Sequence, residues 1–277
     1  MNETFRHKII QFCLAALLLS PTVSAQLLET ERMTWVEIKD ALQKGKTTVL
    51  VFNGGIEQRG PQNVTGGHNL IARYTAIEIA KKLGNALVAP TIPFSPNRAD
   101  PNLPGTIGLS TALFASLNEE VTEQLIKNGF KTVVLMGDHG GGQKELKTIA
   151  EKLTAKYQEE GTRVLYCDDV YNKANNEFFE WLDKNGYPPG THASIPDTSE
   201  MLYIGGDSGW VRKELIATAL GDAPRKPGEA PNANEKRVRN GISGDARRST
   251  PELGKRFLDL KVDLAVKQIR SLSAASR

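Results

Sequence analysis

Short, nearly unbroken apolar runs alternate along this chain with longer stretches in which apolar residues recur every three or four positions. Thr47 to Phe52 is a β-branched and aromatic run that ends at Asn53-Gly54-Gly55, the pattern of a buried strand feeding a loop. Leu70, Tyr74, Ile77 and Ala80 follow at helical spacing, and Gly84 stops them where a C-terminal cap belongs. Leu87-Val88-Ala89 predicts a second strand, broken by Pro90 and Pro93. Beyond an irregular stretch from Pro90 to Thr106, the residues Phe114, Leu117, Val121 and Leu125 predict another amphipathic helix, closed by Gly129. The unit then repeats. Thr132 to Met136 predicts a third strand, Leu146, Ile149, Leu153 and Tyr157 the next helix, and Val164 to Cys167 a fourth strand.

Apolar strands alternating with amphipathic helices predict the α/β class, with a mainly parallel sheet covered on both faces. From Gly221 to Asn240 the chain holds three prolines and no apolar period, which predicts a long surface loop. Thr250 supplies a capping hydroxyl and Pro251 a first-turn proline to a last helix, whose buried face is carried by Leu258, Val262, Ala265, Ile269 and Leu272.

The first 25 residues change the picture of where the protein works. Arg6 and Lys8, the greasy run from Ile9 to Leu19, and Val23-Ser24-Ala25 have the order of a secretory signal peptide. The run is too short to span a bilayer and Pro21 follows it. The expectation is therefore a leader over 1–25 and one domain over 26–277, periplasmic or secreted, with no membrane partner once the leader is gone. Only Cys167 then remains, so no internal disulfide can form. A net charge of +3 argues against nucleic acid.

Outside the leader there are three histidines, His68, His139 and His192, each in a glycine-rich or turn-rich segment. His139 directly follows the third strand, within Gly137-Asp138-His139-Gly140-Gly141-Gly142, and Glu57 follows the first, within Gly54-Gly55-Ile56-Glu57-Gln58-Arg59-Gly60. Parallel sheets bind ligands beyond the carboxyl ends of their strands. One carboxylate and two neutral imidazoles suit Zn²⁺ or a similar divalent ion and leave a coordination position open. His192 precedes Asp197-Thr198-Ser199, which predicts a helix cap there, and an imidazole that exchanges protons near neutral pH is what a leaving amine needs. A serine-esterase site lacks its G-x-S-x-G elbow, and Gly45-Lys46-Thr47 lacks the earlier glycine of a phosphate loop.

In these segments the chain resembles the creatininase family. Glu57-Gln58-Arg59-Gly60-Pro61-Gln62 fits the family's E-x-H-G-P-H frame, with His68 at the place of an aspartate eleven residues on. Asp138-His139-Gly140-Gly141 fits G-H-G-G, and His192-Ala193-Ser194-Ile195-Pro196-Asp197-Thr198-Ser199 fits H-A-G-x-x-E-T-S in register. Pro104-Gly105-Thr106 and Gly241-Ile242-Ser243-Gly244-Asp245 extend the likeness, which runs from about Thr47 to Ile269.

The resemblance implies a three-layer α/β/α fold, a homo-oligomer, and metal-assisted hydrolysis of C–N bonds in small cyclic or linear amides. It puts Glu57, His68 and His139 in the places of metal ligands, with Asp197 as a further ligand or near-ligand and Asp138 as the partner that orients an imidazole. Zinc is expected, with manganese or iron as alternatives. Arg59 stands where relatives have a histidine and a guanidinium does not ligate cations, so one ion per subunit is expected. Arg59 is then open to two roles, holding a substrate carboxylate or oxyanion, or pairing with a structural acid. In the expected mechanism an ion-activated water attacks the amide carbonyl and His192 passes a proton to the leaving nitrogen. The alternative is a non-catalytic periplasmic small-molecule binding protein that retains the fold.

Overall fold

A computed structural model describes residues 27–224 and 238–274. The expected leader over 1–25 and most of the expected surface loop from Gly221 to Asn240 lie outside the described residues.

Four strands form the sheet: β1 (Thr48–Asn53), β2 (Ala86–Val88), β3 (Thr132–Gly137) and β4 (Arg163–Tyr166). All pairings are parallel, in the spatial order β2-β1-β3-β4. Every residue of β1 and β3 is buried, because helices cover both faces. Leu50, Phe52, Val134 and Met136 point to one face and meet α2 (Gly67–Leu83) and the long α7 (Pro251–Ala274). Val49, Val51, Val133 and Leu135 point to the other and meet α1 (Trp35–Gln43), α3 (Thr111–Lys127) and α4 (Gln143–Tyr157). Each fully buried core side chain, such as Phe52 or Ile79, contributes about 1.5–3 kcal/mol. The expected α/β/α layering is what the structure shows.

The order of the strands decides where a site can form. From β1 the chain moves outward to β2, then returns past β1 to β3 and on to β4. Right-handed crossovers running in opposite directions place their helices on opposite faces, as α2 and α3 show. The loops after β1 and β3 therefore diverge and leave a crevice between them.

The expected helix over Leu70 to Ala80 is present as α2, but its buried stripe is His68, Ile71, Ala72, Thr75, Ala76, Ile79 and Ala80. Leu70, Tyr74 and Ile77 are only half-buried. Small residues face the sheet because α2 packs close to it, and His68 begins that stripe. A π-helical turn (Asp169–Lys173) runs into α5 (Ala174–Lys184). The helix expected to be capped by Asp197 starts earlier, as α6 (Ile195–Gly205) with Ser194 at its N-cap. Its contact with α7 is so close that a Cβ on Gly254 would lie 1.9 Å from the Ser199 carbonyl oxygen.

Candidate metal centre

The loop after β1 carries Glu57, the first turn of α2 carries His68, and the loop after β3 carries Asp138 and His139. Ligand atoms of Glu57, His68 and His139 all lie within 4.8 Å of one another. His68 Nε2 is 2.8 Å from Glu57 Oε1, and His139 Nε2 is 3.2 Å from Glu57 Oε2. On the far side of the His68 ring, Nδ1 is 2.8 Å from Asp138 Oδ2. This is the arrangement in which a carboxylate fixes the tautomer and orientation of a ligating imidazole. The Gly141 N–H donates to His139 Nδ1 at 2.9 Å, and Asn97 Nδ2 donates to Glu57 Oε2 at 2.7 Å.

Behind Asp138 stands a cation that sequence reasoning missed. Lys261 Nζ, from α7, is 2.9 Å from Asp138 Oδ1 and 2.8 Å from Glu200 Oε1. Burial disfavours the Lys261 charge, yet Asp138 and Glu200 together raise its pKa above the ordinary lysine value. Burial, with the nearby Asp138 charge, pushes the Glu200 carboxyl up to about 7 against the pull of Lys261. For Glu57 burial is opposed by hydrogen bonds from His139, His192 and His68, which hold the carboxyl well below the usual range. His68 is raised above an ordinary imidazole, since its bonds to Asp138 and Glu57 overcome burial and the charge of Arg59.

The remaining expected residues fall into place around this group. His192 Nδ1 is 3.2 Å from Glu57 Oε1, and its Nε2 is 2.7 Å from the Gln58 carbonyl. Asp197, expected as a ligand or near-ligand, does not join the group. Its Oδ1 lies 3.0 Å from Arg59 Nη2 and its Oδ2 accepts the Ala193 N–H at 2.6 Å. Arg59 is fully buried and is absent from the wall of the pocket at this site. Of its two expected roles, the geometry carries the ion pair with an acid.

The donor set fits a divalent cation. Glu57, Asp138 and Glu200 are buried carboxylates at or behind this group, with Lys261 between the last two. Glu57 meets three imidazoles and Asn97, and a divalent ion seated among these donors would supply the positive charge that a buried carboxylate needs. The group opens on a pocket of about 400 Å³ walled by Tyr171, Asn175, Phe179, Thr191 and His192. A larger cavity of about 690 Å³ lies beyond Thr191 and His192. It is walled by none of Glu57, His68 and His139, so size does not mark the chemistry here.

The family model for creatininase, described as creatinine amidohydrolase, matches residues 31–269. The chain belongs to the creatininase family. Members of this family are amidohydrolases. Among solved structures, a crystal structure of creatinine amidohydrolase is 19% identical, covering 88% of this chain and 97% of that one, with a TM-score of 0.71. A tryptophan-to-phenylalanine variant of creatininase is also 19% identical over 88% and 98%, with a TM-score of 0.71. A putative creatinine amidohydrolase from Bacteroides fragilis is 16% identical over 87% and 94%, with a TM-score of 0.66. At such identities the likeness shows the fold. Other matching creatininase structures are described as a manganese form, a Zn–Zn form and a complex with creatine. No curated protein matches the chain.

Two members of this site, Asn97 and Lys261, were not among the residues expected from the sequence. Asn97 sits in the irregular stretch after β2 with no motif around it. Lys261 did leave a signal, since it lies three residues after Leu258 and four before Ala265, on the stripe expected to be apolar.

Proposed function

We propose that this protein is an exported, metal-dependent amidohydrolase that cleaves a C–N bond in a small cyclic or linear amide. The convergence of Glu57, His68 and His139 at the switch point of the sheet carries the reading. These three side chains would hold one divalent ion, with zinc the first candidate and manganese or iron next. Such an ion supplies Lewis acidity and an activated water near neutral pH. Asp138 orients His68, and Asn97 orients Glu57.

His192 handles the proton. Its Nε2–H donates to the Gln58 carbonyl at 2.7 Å, which leaves Nδ1 on the pocket side, 3.2 Å from Glu57 Oε1. From there Nδ1 can take up the proton released by the attacking water and pass it to the nitrogen that leaves. A single ion is favoured because Arg59, at the frame's histidine position, is a fixed cation already paired with Asp197.

The test is elemental analysis of purified protein together with turnover of a panel of lactams, cyclic imides and small linear amides. About one equivalent of metal is expected, and His139→Ala is expected to lose metal and turnover together. Protein that turns over amides without any metal would end the scheme. Protein that binds no metal, turns nothing over and gains no melting temperature on adding Zn²⁺ would leave the non-catalytic binding protein in its place.

A further inference from the structure

His192 is followed by a backbone conformation that alanine rarely adopts. Ala193 has φ +54° and is fully buried, in the left-handed region where a Cβ crowds the following carbonyl. Strain of this kind persists only where the surroundings over-determine it, and they do so here. The Ala193 N–H donates to Asp197 Oδ2 at 2.6 Å, and its carbonyl accepts from Gln62 Nε2 at 2.7 Å and from Thr198 Oγ1 at 3.3 Å. The other oxygen of Asp197 is held by Arg59 at 3.0 Å.

Arg59 and Gln62 belong to the same loop as Glu57, and both are fully buried. Helix α2 begins over the guanidinium with a glycine, since a Cβ on Gly67 would lie 2.8 Å from Arg59 Nε. The loop that bears the carboxylate of the metal group thus also grips the turn that bears His192. A third tie, from His192 Nε2 to the Gln58 carbonyl, joins the same two segments.

We infer that Arg59 and Asp197 are positioning residues: together with Gln62 they hold Ala193 in its strained turn and so aim the His192 ring at Glu57. Arg59 lies off the pocket wall, and Asp197, which lies on it, has one oxygen on Arg59 and the other on the Ala193 N–H. Their pairing also links two departures from the family frame, which has histidine and glutamate at these positions. This inference rests on His192 being the proton carrier, but the geometry it asserts can be measured without any substrate.

The experiment labels the histidines with ¹⁵N and follows the His192 ring nitrogens by NMR in the full chain, zinc-loaded, beside turnover and zinc content. In Ala193→Gly the strain is gone, so the melting temperature should hold or rise by a few degrees, while the ring signals broaden and kcat falls at least tenfold with KM nearly unchanged. Arg59→Met alone leaves Asp197 without its cation, so Arg59→Met/Asp197→Asn, which removes both charges, is the partner variant. It should broaden the His192 signals in the same way while zinc content stays at one equivalent. Sharp, unshifted His192 signals in both variants would overturn the inference. Loss of zinc in the double variant would overturn it also, by making Asp197 part of the metal group. A wild type that shows the expected ring signals but no turnover on any amide would count against the hydrolase and leave the clamp standing.

Discussion

Lys261→Met tests the charge balance behind the candidate metal centre. In the variant Asp138 loses a partner at 2.9 Å and Glu200 one at 2.8 Å, with the two carboxylate side chains 3% and 1% exposed. Removing one member of a buried ion pair costs about 3–5 kcal/mol, a large share of the roughly 5–15 kcal/mol that holds a domain folded. Asp138 keeps His68 as a partner, whereas Glu200 escapes its share by keeping a proton, so the low end of that range is expected near neutral pH. An acid whose folded pKa is raised gives stability that is complete below its unfolded value and is lost as pH rises through the folded value. In the wild type this loss runs from 4.5 to about 7. Without Lys261 the folded value moves higher, so the loss continues above pH 7 at about 1.4 kcal/mol per pH unit.

Urea unfolding at pH 6, 7 and 8.5, with a chelator present throughout, reads this directly. The gap between wild type and Lys261→Met should be about 3 kcal/mol at pH 6 to 7 and about 2 kcal/mol wider at pH 8.5. Glu200→Gln/Lys261→Met should remove the widening, because it has no acid left to titrate. A gap under about 1 kcal/mol, or one that stays flat with pH, would refute the reasoning.

Three further outcomes are expected. Gly254→Ala should lower stability by about 1–3 kcal/mol in thermal unfolding, because the added methyl meets the Ser199 backbone and outweighs the roughly 1 kcal/mol gain in helix propensity; a more stable variant would contradict the close α6–α7 contact. Cys167 is fully buried and burial pushes its thiol up, so a thiol reagent should label native protein only as fast as it unfolds, and prompt labelling would disprove that burial. Asn97→Ala removes a donor at 2.7 Å from Glu57 and should weaken Zn²⁺ binding about 10- to 100-fold without moving the melting temperature of chelated protein; an unchanged Kd by titration calorimetry would strip Asn97 of its orienting role.

The sheet was legible because its strands are buried on both faces, which leaves continuous apolar runs that few other structures need. Each of the four strands lies within about one residue of its expected bounds, an offset that assignment of strand ends commonly carries. Helices were harder. In α2 the contact with the sheet is made by Ala72, Thr75 and Ala76, residues that a search for large apolar side chains passes over. Helix α1 rests on the core through Ile38, Ala41 and Leu42 while Trp35 is 73% exposed, so its apolar residues do not all lie on the buried face. For the site, Glu57 and His139 were found by their place after strands, and His68 and His192 by their turn-rich segments and the family frame. Their neighbours were not, since Arg59–Asp197 and Lys261–Asp138 pair residues more than a hundred positions apart. Nothing local in a sequence records which acid a buried cation will meet.

That last pairing sets an order on how the centre is made. Asp138 and Lys261 are separated by 123 residues, so a nascent chain that has already emitted all four strands still lacks the ammonium that neutralises Asp138 and Glu200. Until α7 docks, Glu200 lacks its ammonium partner and Asp138 has the His68 ring but not Lys261 to hold it. The support of the centre is therefore complete only with the final helix in place.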